Sequence, residues 1–176
     1  LLGLGHRHIA YIGGPKALST GHDRLQGFLQ TMHAAQVPVD DSAVFCDAPD
    51  AASGQRVMAQ LLTHTPRPTA VVISTSRGTE GALEALRLHG TAVPADLSVV
   101  GFNDSPAIAW WGPGLTTMRM PVREVASASA AHLIRILGAD KSSAPPSLGM
   151  VAQYPPHLVV RGSTAAISTL PPRKTP

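Results

Sequence analysis

Four short apolar segments separated by stretches of helical periodicity constrain the fold of this chain more than any other feature. The segments are rich in Val and Ile and span 8–12, 44–46, 70–74 and 97–102. They are almost continuously apolar rather than alternating, which is typical of strands covered on both faces. Strands that alternate with helices favour right-handed βαβ crossovers. The sequence therefore predicts an α/β fold with a parallel sheet flanked by helices.

The intervening stretches carry helix signals. After the first strand, apolar residues recur at a spacing of three and four, which predicts a helix that begins near Ser19 or Thr20. Asp50 is a candidate N-cap of the second helix, and Ser76 is a candidate N-cap of the third.

The pattern changes after Gly114. A short extended piece at 115–119 precedes a helix at 121–137, and further short strands are predicted at 150–154 and 157–160. Residues 164–176 are rich in Pro, Ser and Thr, which predicts a disordered tail behind a domain of residues 1–163.

Composition narrows the functional classes. The chain is 44% hydrophobic and 14% charged, so it can bury a substantial core. Its net charge is +3, but its Lys and Arg residues form no dense cluster of the kind typical of a nucleic-acid surface. A single cysteine, Cys46, excludes a disulfide framework and fits a reducing cytoplasm. No apolar run is long enough for a membrane span. The start resembles no signal peptide and lacks Met, so we expect a fragment of a longer product.

Polar side chains follow each predicted strand, in the segments 13–20, 47–50, 74–76 and 103–104. The carboxyl ends of parallel strands meet at one edge of the sheet, which is where α/β proteins bind ligands. Arg24, about one turn into the first helix, can reach back over the same edge. This set of hydroxyl, amide, carboxylate and guanidinium groups could hydrogen-bond a polyhydroxylated or amide-bearing small molecule.

Plainer roles compete with this interpretation. Arg24 could be a solvated helix residue, Thr20 and Ser76 could be helix caps, and Asn103-Asp104 could form only an Asx-turn. The pair Trp110-Trp111 fits either the core or a subunit contact.

Catalytic and metal motifs are not found. The chain has no G-x-S-x-G or G-x-G-x-x-G sequence, and the histidines His6, His8 and His22 lack the spacing of a zinc site. Gly13-Gly14-Pro15 favours a tight turn over an anion cradle. The sequence predicts neither an enzyme, nor a metal site, nor a cofactor.

Seven segments, in this order, resemble the lactose-repressor/galactose-repressor (LacI/GalR) family of bacterial transcriptional regulators. They are GHRHIAYIGGP at 5–15, DRLQGF at 23–28, RPTAVVIS at 67–74, GALEAL at 81–86, VPADLSVVGFND at 93–104, LTTMRMPV at 115–122 and PPHLVVRGST at 155–164. The resemblance implies one lobe of a periplasmic-binding-protein-like fold, in which two α/β lobes enclose a small effector. Relatives also carry an N-terminal helix-turn-helix that binds operator DNA as a dimer. Residues 115–137 belong to the first lobe in relatives, and the rest of the domain corresponds to the second.

The resemblance also suggests roles for single residues. Arg24 matches the arginine that contacts the effector, Thr20 a ligand-contacting hydroxyl, and Trp111 an aromatic residue at the dimer interface. Thr75 stands where many relatives have an Asn, and Asn103 stands in place of the usual Asp. The change from Asp to Asn removes a charge and adds donors.

These features together predict the effector-sensing and dimerisation domain of a cytoplasmic LacI-type regulator. Its partners would be a sugar-like small molecule, operator DNA bound through a domain outside these residues, and a second copy of the chain, with no membrane involved. The alternative is a periplasmic solute-binding protein of the same fold. The helix at 121–137 would pack on its own lobe, exchange with another copy or be disordered.

Overall fold

A six-stranded sheet forms the centre of the protein in a computed structural model that describes residues 1–138 and 152–167. The strand order is β2-β1-β3-β4-β5-β6, and the pairs from β2 through β5 are parallel. The strands are β1 (Ile9–Ile12), β2 (Val44–Phe45), β3 (Ala70–Ile73), β4 (Ser98–Phe102), β5 (Thr116–Arg119) and β6 (His157–Val159). The predicted parallel α/β architecture is therefore confirmed.

Helices connect the parallel strands. They are α1 (Ser19–Ala34), α2 (Ala51–Leu62), α3 (Ser76–Leu88), α4 (Pro106–Trp110) and α5 (Val122–Gly138), with a short 3₁₀ turn at Asp41–Ala43. Asp50 caps α2 as predicted, because its carboxylate accepts a hydrogen bond from the backbone N–H of Ser53 at 2.8 Å. The prediction of Ser76 as the cap of α3 was wrong by one residue, since the Thr75 hydroxyl accepts from the N–H of Gly78 at 3.2 Å.

The two faces of the sheet bury different residues of the same strands. Ala10 and Ile12 of β1 join the apolar cluster that contains Met58 and Leu61 of α2, whereas Ile9 joins Met32 of α1 in a second cluster. This alternation follows from the two-residue period of a strand. Because both faces are covered, the central strands β1 and β3 carry apolar side chains on both faces.

Helices α2 and α3 approach each other closely at glycines. A Cβ atom at Gly81 would lie 1.8 Å from the carbonyl oxygen of Ala51, and one at Gly54 would lie 2.5 Å from the carbonyl oxygen of Gly78. No side chain fits at these distances, so the backbones themselves form the contact.

The chain divides into two compact units. The first contains Leu1–Met118 and the return segment from Leu158 onward, and the second contains Arg119–His157. In the second unit, α5 is a formed helix of 17 residues with no buried residue. Whether it exchanges between copies stays a prediction.

The return segment after β6 is ordered beyond the predicted domain end at residue 163. The backbone N–H of Ile167 donates to the carbonyl of Leu4 at 3.0 Å, and the carbonyl of Ala165 lies 2.9 Å from Nε2 of His6. Residues 164–167, assigned to the tail from composition, thus hydrogen-bond to the start of the chain, and 168–176 lie outside the described residues. The strand predicted at 150–154 is not formed at 152–154, and its first two residues also lie outside the description.

Candidate functional site

The carboxyl ends of β1, β3 and β4 meet at one edge of the sheet in the first unit. The registers pair Ile12 with Ile73, and Val72 with Val100, so the residues that follow these strands are neighbours. Helices α1 and α3 begin at the same edge. We refer to the group Tyr11, Arg24, Ser74, Phe102 and Asn103 as the rim site.

Arg24 occupies the centre of the rim site. Its Nη1 donates a hydrogen bond to the carbonyl oxygen of Ser74 at 2.8 Å, and its Cζ lies 4.0 Å from the ring centroid of Phe102. The guanidinium therefore stacks on an aromatic face, which is a favourable cation–π geometry. Burial lowers the pKa of Arg24, because the charged form loses hydration. The predicted reach of Arg24 over the sheet edge is what the structure shows.

Tyr11 and Phe102 are members of the rim site that the sequence analysis missed. The Tyr11 hydroxyl lies 2.8 Å from Oγ of Ser74, and its ring lies 5.1 Å from that of Phe28. Burial raises the pKa of Tyr11, since the phenolate would lose solvation. A Cβ at Gly13 would lie 2.5 Å from Cε1 of Tyr11, so this glycine makes room for the ring. The sequence signal that could have identified Tyr11 as a site residue is its place near the carboxyl end of an otherwise aliphatic strand.

Tyr11 supports Arg24 through Ser74, and this role can be measured. We expect Tyr11→Phe to destabilise the protein by about 1 kcal/mol, because the buried Ser74 hydroxyl loses its partner. Urea denaturation followed by circular dichroism measures this loss. Tyr154→Phe is the matched control, since the Tyr154 hydroxyl has no hydrogen bond to any other described residue, and we expect it to be neutral. Equal stability of the two variants would contradict the supporting role.

Thr75 lies at this edge, but its hydroxyl is already bonded. It accepts from the N–H of Gly78 and donates to the carbonyl oxygen of Ala48 at 3.1 Å. The structure thus gives Thr75 a capping role, and its contact with a ligand stays a prediction.

Asn103 has a left-handed backbone conformation with φ of 71°, which asparagine tolerates better than most residues. Its N–H donates to the carbonyl of Met118 at 3.0 Å. Its side-chain amide has no hydrogen bond to any other residue that the structure describes, so its donors and acceptor are available at the rim site.

Thr20 is exposed in the first turn of α1. The N-cap of that helix is Leu18, which has no side-chain cap, so the competing role of Thr20 as a helix cap is excluded. Its contact with a ligand also stays a prediction.

Asp104, the carboxylate that follows Asn103, turns away from the rim site. Its side chain is 7% exposed, and Oδ1 lies 2.7 Å from Nη1 of Arg161. The Thr117 hydroxyl donates to the same oxygen at 3.1 Å. Asp104 is therefore a structural residue that joins the strand end to the return segment.

The two tryptophans of α4 differ in environment. Trp110 is 84% exposed, whereas Trp111 is partly buried and packs against the main apolar cluster. The core role weighed for the pair thus applies to Trp111, and its role at a dimer interface stays a prediction.

The described residues include no group of three or more His, Cys, Asp or Glu side chains arranged to hold a metal ion. None of the helices that the structure describes is long and apolar enough to cross a membrane. His6 is fully buried and lies 2.9 Å from the hydroxyl of Thr69 through Nδ1, so it is a core residue beside the start of β1.

Known proteins are similar to this chain in sequence and fold. Residues 1–164 match the family model of the periplasmic binding protein-like domain. The chain is 32% identical over 169 residues to the HTH-type transcriptional regulator DegA of Bacillus subtilis (strain 168), covering 96% of this chain and 48% of DegA. It is 34% identical over 166 residues to the HTH-type transcriptional repressor PurR of Yersinia pestis bv. Antiqua, covering 94% of this chain and 47% of PurR.

A solved LacI family transcriptional regulator from Lactobacillus casei, with bound glucose, superposes with a TM-score of 0.77 at 31% identity. The match covers 93% of this chain and 58% of that structure. The chain belongs to the periplasmic-binding-protein-like family. The chain spans about half the length of the curated relatives it matches. These LacI-type relatives are transcriptional regulators rather than enzymes.

Proposed function

We propose that this chain is the effector-sensing lobe of a LacI-type transcriptional regulator. A small molecule would bind at the rim site and alter operator binding by a DNA-binding domain outside these residues. The observation that carries the proposal is Arg24, whose guanidinium is fixed between the Ser74 carbonyl and the Phe102 ring at the carboxyl edge of the sheet. Rigid support of this kind lowers the entropy lost when a ligand binds.

The ligand class follows from the donors of the site and from a relative. Arginine and asparagine side chains together offer several donors and one acceptor, which suits a polyhydroxylated molecule. The regulator from Lactobacillus casei was solved with bound glucose. We therefore assign a sugar-like effector to this chain. The effector would change operator binding by binding preferentially to one of two conformations of the protein, which couples the rim site to the DNA-binding domain.

Arg24→Ala tests the proposal in the whole protein as its gene encodes it. We expect this variant to need at least about tenfold more effector for a half-maximal change in operator affinity, because a charge-assisted hydrogen bond to the effector is lost. Fluorescence anisotropy with labelled operator DNA measures it. Arg56→Ala, an exposed arginine on α2, is the control and should behave as wild type. An unchanged effector response in Arg24→Ala would refute the proposed site.

We also propose that the regulator works as a cytoplasmic homodimer with Trp111 near the interface. Support comes from the adjacent Trp110, whose indole is 84% exposed, because large exposed aromatics are enriched at protein interfaces. Trp110→Ser should weaken the dimer in analytical ultracentrifugation without lowering stability. Trp111→Ser should also lower stability, since Trp111 packs on the core. Dimers of unchanged affinity in both variants would place the interface elsewhere.

A further inference from the structure

The positive charge of Arg24 has no counter-charge in the part of the chain that the structure describes. Its polar partner is the neutral carbonyl of Ser74, and the ring of Phe102 lies against its face. No ion pair links Arg24 to a carboxylate of the described residues, although other arginines such as Arg161 and Arg87 have such pairs. A partly buried cation without a counter-charge costs free energy, and a bound ligand could supply the missing charge.

The carboxylates at the same edge do not supply that charge. Asp104 is paired with Arg161, and Asp50 accepts hydrogen bonds from the N–H and the hydroxyl of Ser53. Asp47 is exposed, and no ion pair or hydrogen bond joins its side chain to other described residues. Lys16, exposed in the turn after β1, adds a second positive charge to this edge.

The free edge of the Arg24 guanidinium has the shape that recognises an anion. A guanidinium has five N–H donors, and the described contacts use one nitrogen of Arg24, the Nη1 that faces Ser74. Paired donors of arginine match the two oxygens of a carboxylate or a phosphate in a bidentate geometry. The neighbouring Asn103 amide is uncharged and could hydrogen-bond the rest of the molecule.

We propose that the effector carries an anionic group, a carboxylate or a phosphate, that binds the guanidinium of Arg24. This rests on the proposed function, because it takes the rim site to be the effector site. The ligand is then a sugar acid or a sugar phosphate rather than a neutral sugar. Its affinity falls as ionic strength rises, since salt screens the pairing.

The experiment uses the whole protein and a panel of matched ligand pairs, each a neutral sugar with its phosphate ester and its sugar acid. Glucose, glucose 6-phosphate and gluconate are one such set, and inorganic phosphate is included as the bare anion. Isothermal titration calorimetry measures binding to wild type, Arg24→Gln, Arg24→Lys and the control Arg56→Gln. We expect an anionic member to bind best, Arg24→Gln to weaken it at least about tenfold, Arg24→Lys to retain part of the affinity, and Arg56→Gln to change nothing.

The outcomes separate the two proposals. Preference for phosphate esters identifies a phosphate ligand, and preference for sugar acids identifies a carboxylate. If a neutral sugar binds as tightly as its anionic counterparts, the proposal of an anionic group is overturned and the proposed function is left intact. If no member binds, the anionic assignment is overturned, and the operator-release assay with Arg24→Ala decides the proposed function independently.

Discussion

Gly81→Ala is expected to destabilise the protein by at least about 3 kcal/mol, at the upper end of the usual cost of overpacking. The new methyl group would lie 1.8 Å from the carbonyl oxygen of Ala51 and 2.8 Å from the backbone nitrogen of Gln55. Both atoms belong to the backbone of α2, so no side-chain rotation can relieve the overlap. Helices α2 and α3 would have to separate, and the buried side chains Met58 and Leu86 beneath them would lose contacts.

Equilibrium denaturation in urea measures this effect, with the midpoint as the reported quantity. Gly27→Ala is a matched control within α1, since a Cβ there meets nothing within 4 Å. We expect this control to stabilise the protein by about 0.5–1 kcal/mol, because alanine restricts the unfolded chain and favours the helix. A midpoint of Gly81→Ala at or above that of wild type would show that the two helices are not in backbone contact.

Asp104→Ala is expected to cost about 3–5 kcal/mol, the usual range for removal of one partner of a buried ion pair. The side chain of Asp104 is 7% exposed and that of Arg161 is 20% exposed, so little water is available to replace the lost carboxylate. The hydroxyl of Thr117 loses its acceptor at the same time. Arg161 would keep its hydrogen bond to the carbonyl of Leu115, which limits the loss.

The control for this prediction is Glu84→Ala on the exposed face of α3. Glu84 pairs with Arg87 at 2.7 Å, but both side chains are well solvated, so we expect no measurable change in stability. Thermal unfolding of both variants at one pH gives the comparison. Similar melting temperatures for Asp104→Ala and Glu84→Ala would mean that the strand-end pair is solvated in solution.

The parallel sheet could be predicted because its signals are local. Each of the first four strands lies in a mainly apolar run bounded by a polar turn, and the Asp50 cap and the start of α1 near Ser19 follow from residue type and spacing. Arg24 could be placed at the sheet edge for the same reason, since one helical turn separates it from the loop after β1.

Other features depend on residues that are distant in sequence. Tyr11 belongs to the rim site because Ser74, which follows β3, lies beside it. Asp104 is not part of that site because its carboxylate pairs with Arg161 of the return segment. Asp104 and Arg161 show no periodicity that would pair them. The ordered segment 164–167 was also missed, because it begins a longer stretch, 164–176, that is rich in Pro, Ser and Thr. Ser163 next to it is fully buried, and its hydroxyl donates to the carbonyl of Val99.

Ser163 has a consequence for the order of folding during synthesis. Its hydroxyl donates to the carbonyl of Val99 and accepts from the N–H of Thr116, so it closes the junction of β4 and β5. The whole second unit, Arg119–His157, is translated between those strands and this closing residue. In the nascent chain, the two hydrogen bonds that Ser163 makes at this junction therefore cannot form until the return segment has left the ribosome. A stalled nascent chain that ends before residue 163 should be cut by protease near β5, and one that exposes residue 167 should resist.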